Sequence, residues 1–178
     1  FRTKSSKNIE FVLNREKMIN GLEKEIIDYL VPLADKNLSD EEKHKVFVMM
    51  YSINDYERIG DHCENIIELI QEIKNENSVF SKTAFDEYDK ISSDVMKIVT
   101  DTTNAYRDNN LELAKNCINI EEEVDILEET YRRNHMDRIN RGICDTNAGV
   151  KFLDILSNFE RIADHSVNIA NYTLGKEL

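Results

Sequence analysis

The chain has one proline, five glycines and no tryptophan in 178 residues. So few breakers, with no alternating runs of Val, Thr or Tyr, leave little scope for hairpins, and the chain reads as helix nearly throughout. Basic residues are also short: 23 Lys and Arg against 35 Asp and Glu give a formal net charge of −12 and a pI near 4.8. That charge repels phosphate backbones and anionic lipid at long range, which argues against nucleic acid as a partner and favours cations and basic surfaces. Cys63, Cys117 and Cys144 are odd in number and form no Cys-x-x-Cys pair. Neither a disulfide framework nor a thiolate zinc site is expected, and a reducing, cytosolic setting fits. No apolar run approaches the roughly 18 to 20 residues of a membrane span, and the N-terminal residues show no charged-then-apolar-then-small leader pattern. The length suits one domain or two small units that bury about two-thirds of their unfolded surface. The chain opens at Phe1 rather than Met, and is expected to be an excised piece of a longer polypeptide.

Five helices are expected at about 5–36, 40–76, 82–109, 111–141 and 148–174. Ser39 with Glu42 makes a capping-box pattern, Asn77-Ser78 and Asn109-Asn110 are breakers, and Gly142 to Gly149 reads as a loop. Pro32 should kink or end the first helix. The apolar run from Val46 to Tyr51 has the look of a buried strand but lies inside a longer helical pattern.

What the chain does have is a repeat. Tyr56 to Ile66 reads YERIGDHCENI and Phe159 to Ile169 reads FERIADHSVNI, so that Glu57 recurs 103 positions later as Glu160. A core requires only apolar residues at helical spacing; two copies of the same acidic, basic and amide residues in one order point to a duplicated site. An acidic helix precedes each copy: EKMINGLE from Glu16 to Glu23 resembles EEEVDILE from Glu121 to Glu128, 105 positions on. The second unit has a further helix before its acidic one, and the first has no counterpart.

At about 100° per residue, Glu57 and Asp61 lie about 40° apart on one face, so both carboxylates can reach a single ion, and Glu160 with Asp164 repeats the geometry. Glu121 and Asp125 stand likewise beside Ile120, Val124, Leu127 and Tyr131. The apolar face of the second helix gathers Met49, Ile53, Tyr56, Gly60, Cys63, Ile67 and Ile70. If such faces pack together, two carboxylate pairs meet at one seam, and like charges there require protons or cations. One reading is a carboxylate metal site, whose hard oxygens suit iron, manganese, magnesium or calcium. The other is a solvated acidic edge with Arg58 and Arg161 pairing neighbouring acids. His62 projects about 140° from Glu57 and about 100° from Asp61, so a hydrogen-bonding or packing role is expected of it and of His165. Asn65 and Asn168 are placed to orient a carboxylate or cross-link helices. Gly60 and Ala163 match as small residues for close helix approach. His44 and His135 read as surface residues. The Glu-x-x-His of ferritin-like oxidases is absent, which disfavours di-iron oxygen chemistry. No catalytic constellation or phosphate loop is found, so no enzyme activity is indicated.

The doubled Glu-Arg-Ile-x-Asp-His-x-x-Asn-Ile element, each copy behind an acidic helix, resembles the PhoU family of phosphate-uptake regulators over nearly the whole chain. The segment from Gly149 to Ala170 is most similar to the PhoU-like domain that follows the membrane part of bacterial sodium/phosphate cotransporter-family proteins. The resemblance implies an all-α bundle of two similar three-helix units with acidic sites for iron or zinc, and a regulatory role at the cytoplasmic face of the membrane beside a phosphate transporter, in the same polypeptide. Carried onto this chain, the second unit has Glu121, Asp125, Glu160 and Asp164. The first has Glu16, Glu57 and Asp61, with Asn20 where the family has Asp. The expected division is a first unit at 1–77, lacking its leading helix, and a second at 78–178. A metal-free scaffold, a homodimerisation module and a stand-alone regulator are the alternatives.

Overall fold

In the computed structural model, which describes residues 6–76 and 80–176, helix ends fall where the sequence supplies caps. The helices are α1 (Ser6–Ala34), α2 (Asp40–Asn75), α3 (Lys82–Asp108), α4 (Leu111–Asn140) and α5 (Thr146–Thr173). They run 27 to 36 residues, about 40–54 Å each. Among the described residues no strand occurs, and none of the helices is long and apolar enough to cross a membrane. Pro32 lies inside α1, two residues before its end. The Ser39 hydroxyl accepts from the Glu42 amide while Glu42 answers the Ser39 amide at 2.8 Å, a complete capping box. Asn109 closes α3 in the left-handed conformation (φ 49°), and Asn110 caps α4; asparagine tolerates that conformation better than other side-chain-bearing residues do. The Asn77-Ser78 breaker lies outside the described residues.

The expected loop from Gly142 to Gly149 is shorter than its glycines suggest. Asp145 caps α5 by accepting from the Ala148 amide at 2.9 Å, which puts Gly149 inside the helix. A β-carbon at Gly149 would come within 2.6 Å of the Ile139 side chain, so the glycine serves a close α4–α5 approach, not a turn.

Helices α3, α4 and α5 pack on one another as a three-helix unit, α2 packs along α5, and α1 packs on α2 alone. The core runs through Ile91, Val95, Ile98, Val124, Phe152 and Ile155. Helix α2 turns its buried side toward α5 through Asp55, Ile59, Ile66 and Ile73. This is about a quarter turn from the arc expected from Met49 and Tyr56, and Met49 is left 49 % exposed. His135, expected at the surface, is 1 % exposed. It stacks on Phe152 at 4.4 Å and accepts at Nδ1 from Arg138, 2.8 Å away. Arg138 in turn grips buried Glu87 of α3, Nη1 to Oε1 3.0 Å.

Candidate functional site

The repeated motif divides its side chains between two faces of α2 and α5. One face makes the junction of these two antiparallel helices. Asp55 Oδ1 accepts from His165 Nδ1 at 2.7 Å and from Asn168 Nδ2 at 3.2 Å, and Asp55 Oδ2 accepts from the Tyr172 hydroxyl at 2.9 Å. Its counterpart 103 positions on, Asn158, accepts through Oδ1 from His62 Nδ1 at 2.9 Å and Asn65 Nδ2 at 3.3 Å. The two pairings are images of one another, with the His62 and His165 rings stacked between them at 5.6 Å. The expected hydrogen-bonding and cross-linking roles of the histidines and asparagines are therefore met. The acceptors at 55 and 158 went unrecognised in the sequence, although both are Asx residues two places before the repeated Glu.

The other face meets the acidic helix. Glu121 and Asp125 of α4 and Asp164 of α5 each offer a carboxylate oxygen, and the three atoms lie within 4.8 Å of one another. Burial pushes the Glu121 carboxyl up to about 7, reinforced by Asp125, Asp164, Glu122 and Glu160. Burial and Asp164 likewise raise Asp125 and Glu160, with Arg161 opposing the rise at Glu160. Arg161 reaches Asp164 at 3.2 Å and Glu160 at 3.5 Å, yet its side chain is mostly in solvent, where such pairs are weak. Glu128, last letter of the repeated acidic segment, stands beside the seam and is tied to Arg132 (2.7 Å), which also donates to Ser157.

The first unit places Glu16, Glu57 and Asp61 at the α1–α2 seam, but it does not gather them as tightly. Burial, then Asp61, then Glu23 and Glu16 raise Glu57, against Arg58. Glu16 is buried and accepts from the Asn20 amide, while the Asn20 carbonyl oxygen is buried without a hydrogen-bond partner among the described residues. The all-carboxylate donor set of the α4–α5 seam fits a hard or borderline cation: its oxygens already converge, and its charge is only partly offset by protein cations.

The PhoU domain family matches residues 1–70 and 88–173. The chain is 22% identical over 167 residues to a phosphate-specific transport system accessory protein PhoU homolog of Clostridium acetobutylicum, covering 93% of this chain and 75% of that one. It is 26% identical over 160 residues to the PhoU homolog 1 of Thermotoga maritima, covering 89% and 68%. In fold it is similar to crystal structures of PhoU from Pseudomonas aeruginosa (TM-score 0.86, 23% identity, 95% of this chain and 82% of that one) and from Streptococcus pneumoniae (TM-score 0.79, 22% identity, 96% and 80%).

Proposed function

The chain belongs to the PhoU family, and on that premise we propose that it is a regulatory, non-catalytic domain of phosphate transport that binds a metal cation at the α4–α5 seam. The observation that carries the reading is the convergence of Glu121, Asp125 and Asp164 within 4.8 Å. Glu160, coupled to Asp164 and Asp125 but outside the converging three, is assigned as a flanking ligand, and Glu57, Asp61 and Glu16 form the weaker first-unit counterpart. A bound iron, zinc or other divalent cation would supply the positive charge that lets these carboxylates ionise together. Protons compete for the same oxygens, so cation binding should weaken as pH falls through about 7, where Glu121 takes up its proton. Inorganic phosphate meets an anionic surface here, so its recognition would run through such a cation.

The partner in this reading is a membrane phosphate transporter, with the domain lying at its cytoplasmic face. Support comes from the names of the two relatives, which are accessory proteins of phosphate-specific transport. The likeness of Gly149 to Ala170 to cotransporter-linked domains favours a sodium/phosphate cotransporter in the same polypeptide. We divide the chain into repeats at 1–77 and 78–178, the first built on α1 and α2 and the second on α3 to α5.

A second reading, a metal-free scaffold, draws on the Asp55 and Asn158 pairings, which account for the motif's His and Asn without any ion. Chelator dialysis, reloading with iron, zinc or manganese and elemental analysis separate the two. One tightly held cation per chain, lost in Asp164→Asn, supports the metal site; no rebinding, or unchanged stoichiometry in Asp164→Asn, sinks it.

A further inference from the structure

The offset that relates the two motif copies also relates the two ends of the α2–α5 junction, and there the ends differ. At one end Lys151 of α5, its side chain 10 % exposed, reaches Glu76 of α2 at 2.6 Å and Glu72 at 3.3 Å. Asn147 donates to Glu76 at 3.0 Å beside them. The residues 103 positions from Asn147, Lys151 and Glu72 are His44, Val48 and Gly175. A valine and a glycine form no ion pair, and neither has the reach of the side chain it replaces. Gly175 holds φ 67°, which disfavours a side chain, and a β-carbon built there would meet nothing within 4 Å. A cavity of about 320 Å³ therefore opens where the other end is filled, inside the range of about 300–1,000 Å³ usual for small-molecule sites.

The walls have a definite chemistry. Phe47, Val48 and Tyr51 of α2 line one side and Tyr172 of α5 the other. The Tyr172 hydroxyl is committed to Asp55 at 2.9 Å, so what this residue offers the cavity is its ring, which stands 6.3 Å from that of Tyr51 at a tilt of 32°. Phe47 and Tyr51 are each 49 % exposed, aromatic surface held half in water. The remaining lining side chains are Lys176 and His44, and no acidic residue lines the cavity although the chain carries a net charge of −12.

We propose that this cavity binds a small aromatic carboxylate, its ring against Phe47, Tyr51 and Tyr172 and its anion on the Lys176 ammonium, beside His44. Three aromatic rings around a hollow select a planar ring by edge and face contacts. The same rings could face a cation, but Lys176 repels one and no lining carboxylate attracts it. The ammonium then sets the sign of the ligand through a charge-assisted hydrogen bond. Inorganic phosphate supplies the charge without the ring and leaves the aromatic walls in water. The site lies at the end of the α2–α5 junction, apart from the acidic seam, and is independent of whether that seam holds a cation.

The test titrates β-naphthoate into the chelator-treated chain, followed by calorimetry and by backbone amide NMR shifts. Saturable one-to-one binding is expected, with shifts centred on residues 44–51 and 172–176. Lys176→Gln should weaken β-naphthoate at least tenfold and leave the weaker binding of neutral β-naphthamide unchanged. Lys176 is exposed, so this variant should keep the unfolding midpoint of the parent chain, which separates a lost site from a lost fold. Val48→Trp, which fills the cavity, should abolish binding of both compounds. The proposal is overturned by absence of saturable binding, by β-naphthoate binding that survives Lys176→Gln, or by β-naphthamide binding as tightly as β-naphthoate. Full displacement by equimolar inorganic phosphate, shifts centred on Glu121 and Asp164, or a ligand-free dimer that Val48→Trp dissociates would overturn it as well.

Discussion

The α4–α5 and α1–α2 seams carry the same ligand letters except at one position, Asp125 in one and Asn20 in the other, and they are built differently. In the first, oxygens from Glu121, Asp125 and Asp164 converge and Glu121 is forced up to about 7. In the second, Asn20 turns its amide onto Glu16 and removes a carboxylate from the set. The same exchange of Asp for Asn separates the two junction acceptors, in the opposite direction along the chain. Charged Asp55 of α2 holds the His and Asn of α5, whereas neutral Asn158 of α5 holds those of α2. Both exchanges leave the α5 motif with the stronger electrostatic surroundings. Among the described residues α3 packs on both α4 and α5, and no helix packs on both α1 and α2. Duplicated letters therefore specify duplicated helices, while a single carboxylate decides whether a seam concentrates charge.

The largest effect should come from breaking the buttress of the stronger unit. Arg138→Ala strands buried Glu87, and such a loss costs about 3–5 kcal/mol; urea unfolding should record it, while Leu22→Ala on unbacked α1 stays within about 0.5 kcal/mol. Next is the ligand set itself. Asp164→Asn should weaken cation binding by more than about a hundredfold, given that even outer-shell changes cost roughly ten- to a hundredfold, whereas Asp61→Asn should leave the tight stoichiometry unchanged. Third, Asp55→Asn makes the junction neutral on both sides and should cost about 1.5–3 kcal/mol, the range for a hydrogen bond to a charged group; equal stability of parent and variant in urea would remove the claimed inequality.

The smallest effect is in pH. Glu121's folded pKa lies above its unfolded value of 4.5, so its contribution is fully present below about 4.5 and lost as pH rises through about 7. His135 runs the other way: burial, with Arg138 close by, pushes it down to about 4 from 6.5, so its contribution holds above about 6.5 and is lost as pH falls through 4. For the cation-free chain, the Glu121 part of the midpoint change between pH 5 and 7.5 should vanish in Glu121→Gln. Persistence of the full change in that variant would show that the seam is not its source.

Much of this was legible in the letters. The helices followed from the 3.6-residue period, the capping box at Ser39 and the Asn109-Asn110 breaker, because each is decided by neighbours within one turn. The sharing of Glu and Asp on one face, and the separation of His62 from it, followed from helical angle alone. Gly149 misled because a glycine needed for close approach looks the same in sequence as one needed for a turn. His135 misled because its polarity hid its position, although it falls on the Val124 and Tyr131 stripe and its counterpart 105 residues earlier is Leu30, also buried. Asp55 was missed because its partners lie 110 to 117 residues away.

By itself, then, the sequence determined the helices, most of their ends, the repeated motif and the presence of a carboxylate pair on each motif helix, all of which are set by interactions along one helix. Only the tertiary structure decided which pairs converge and that Asp55 and Asn158 receive the motif's His and Asn. Those outcomes depend on how long helices rotate and slide against one another, which is fixed by the packing of the whole bundle and by no local stretch of chain.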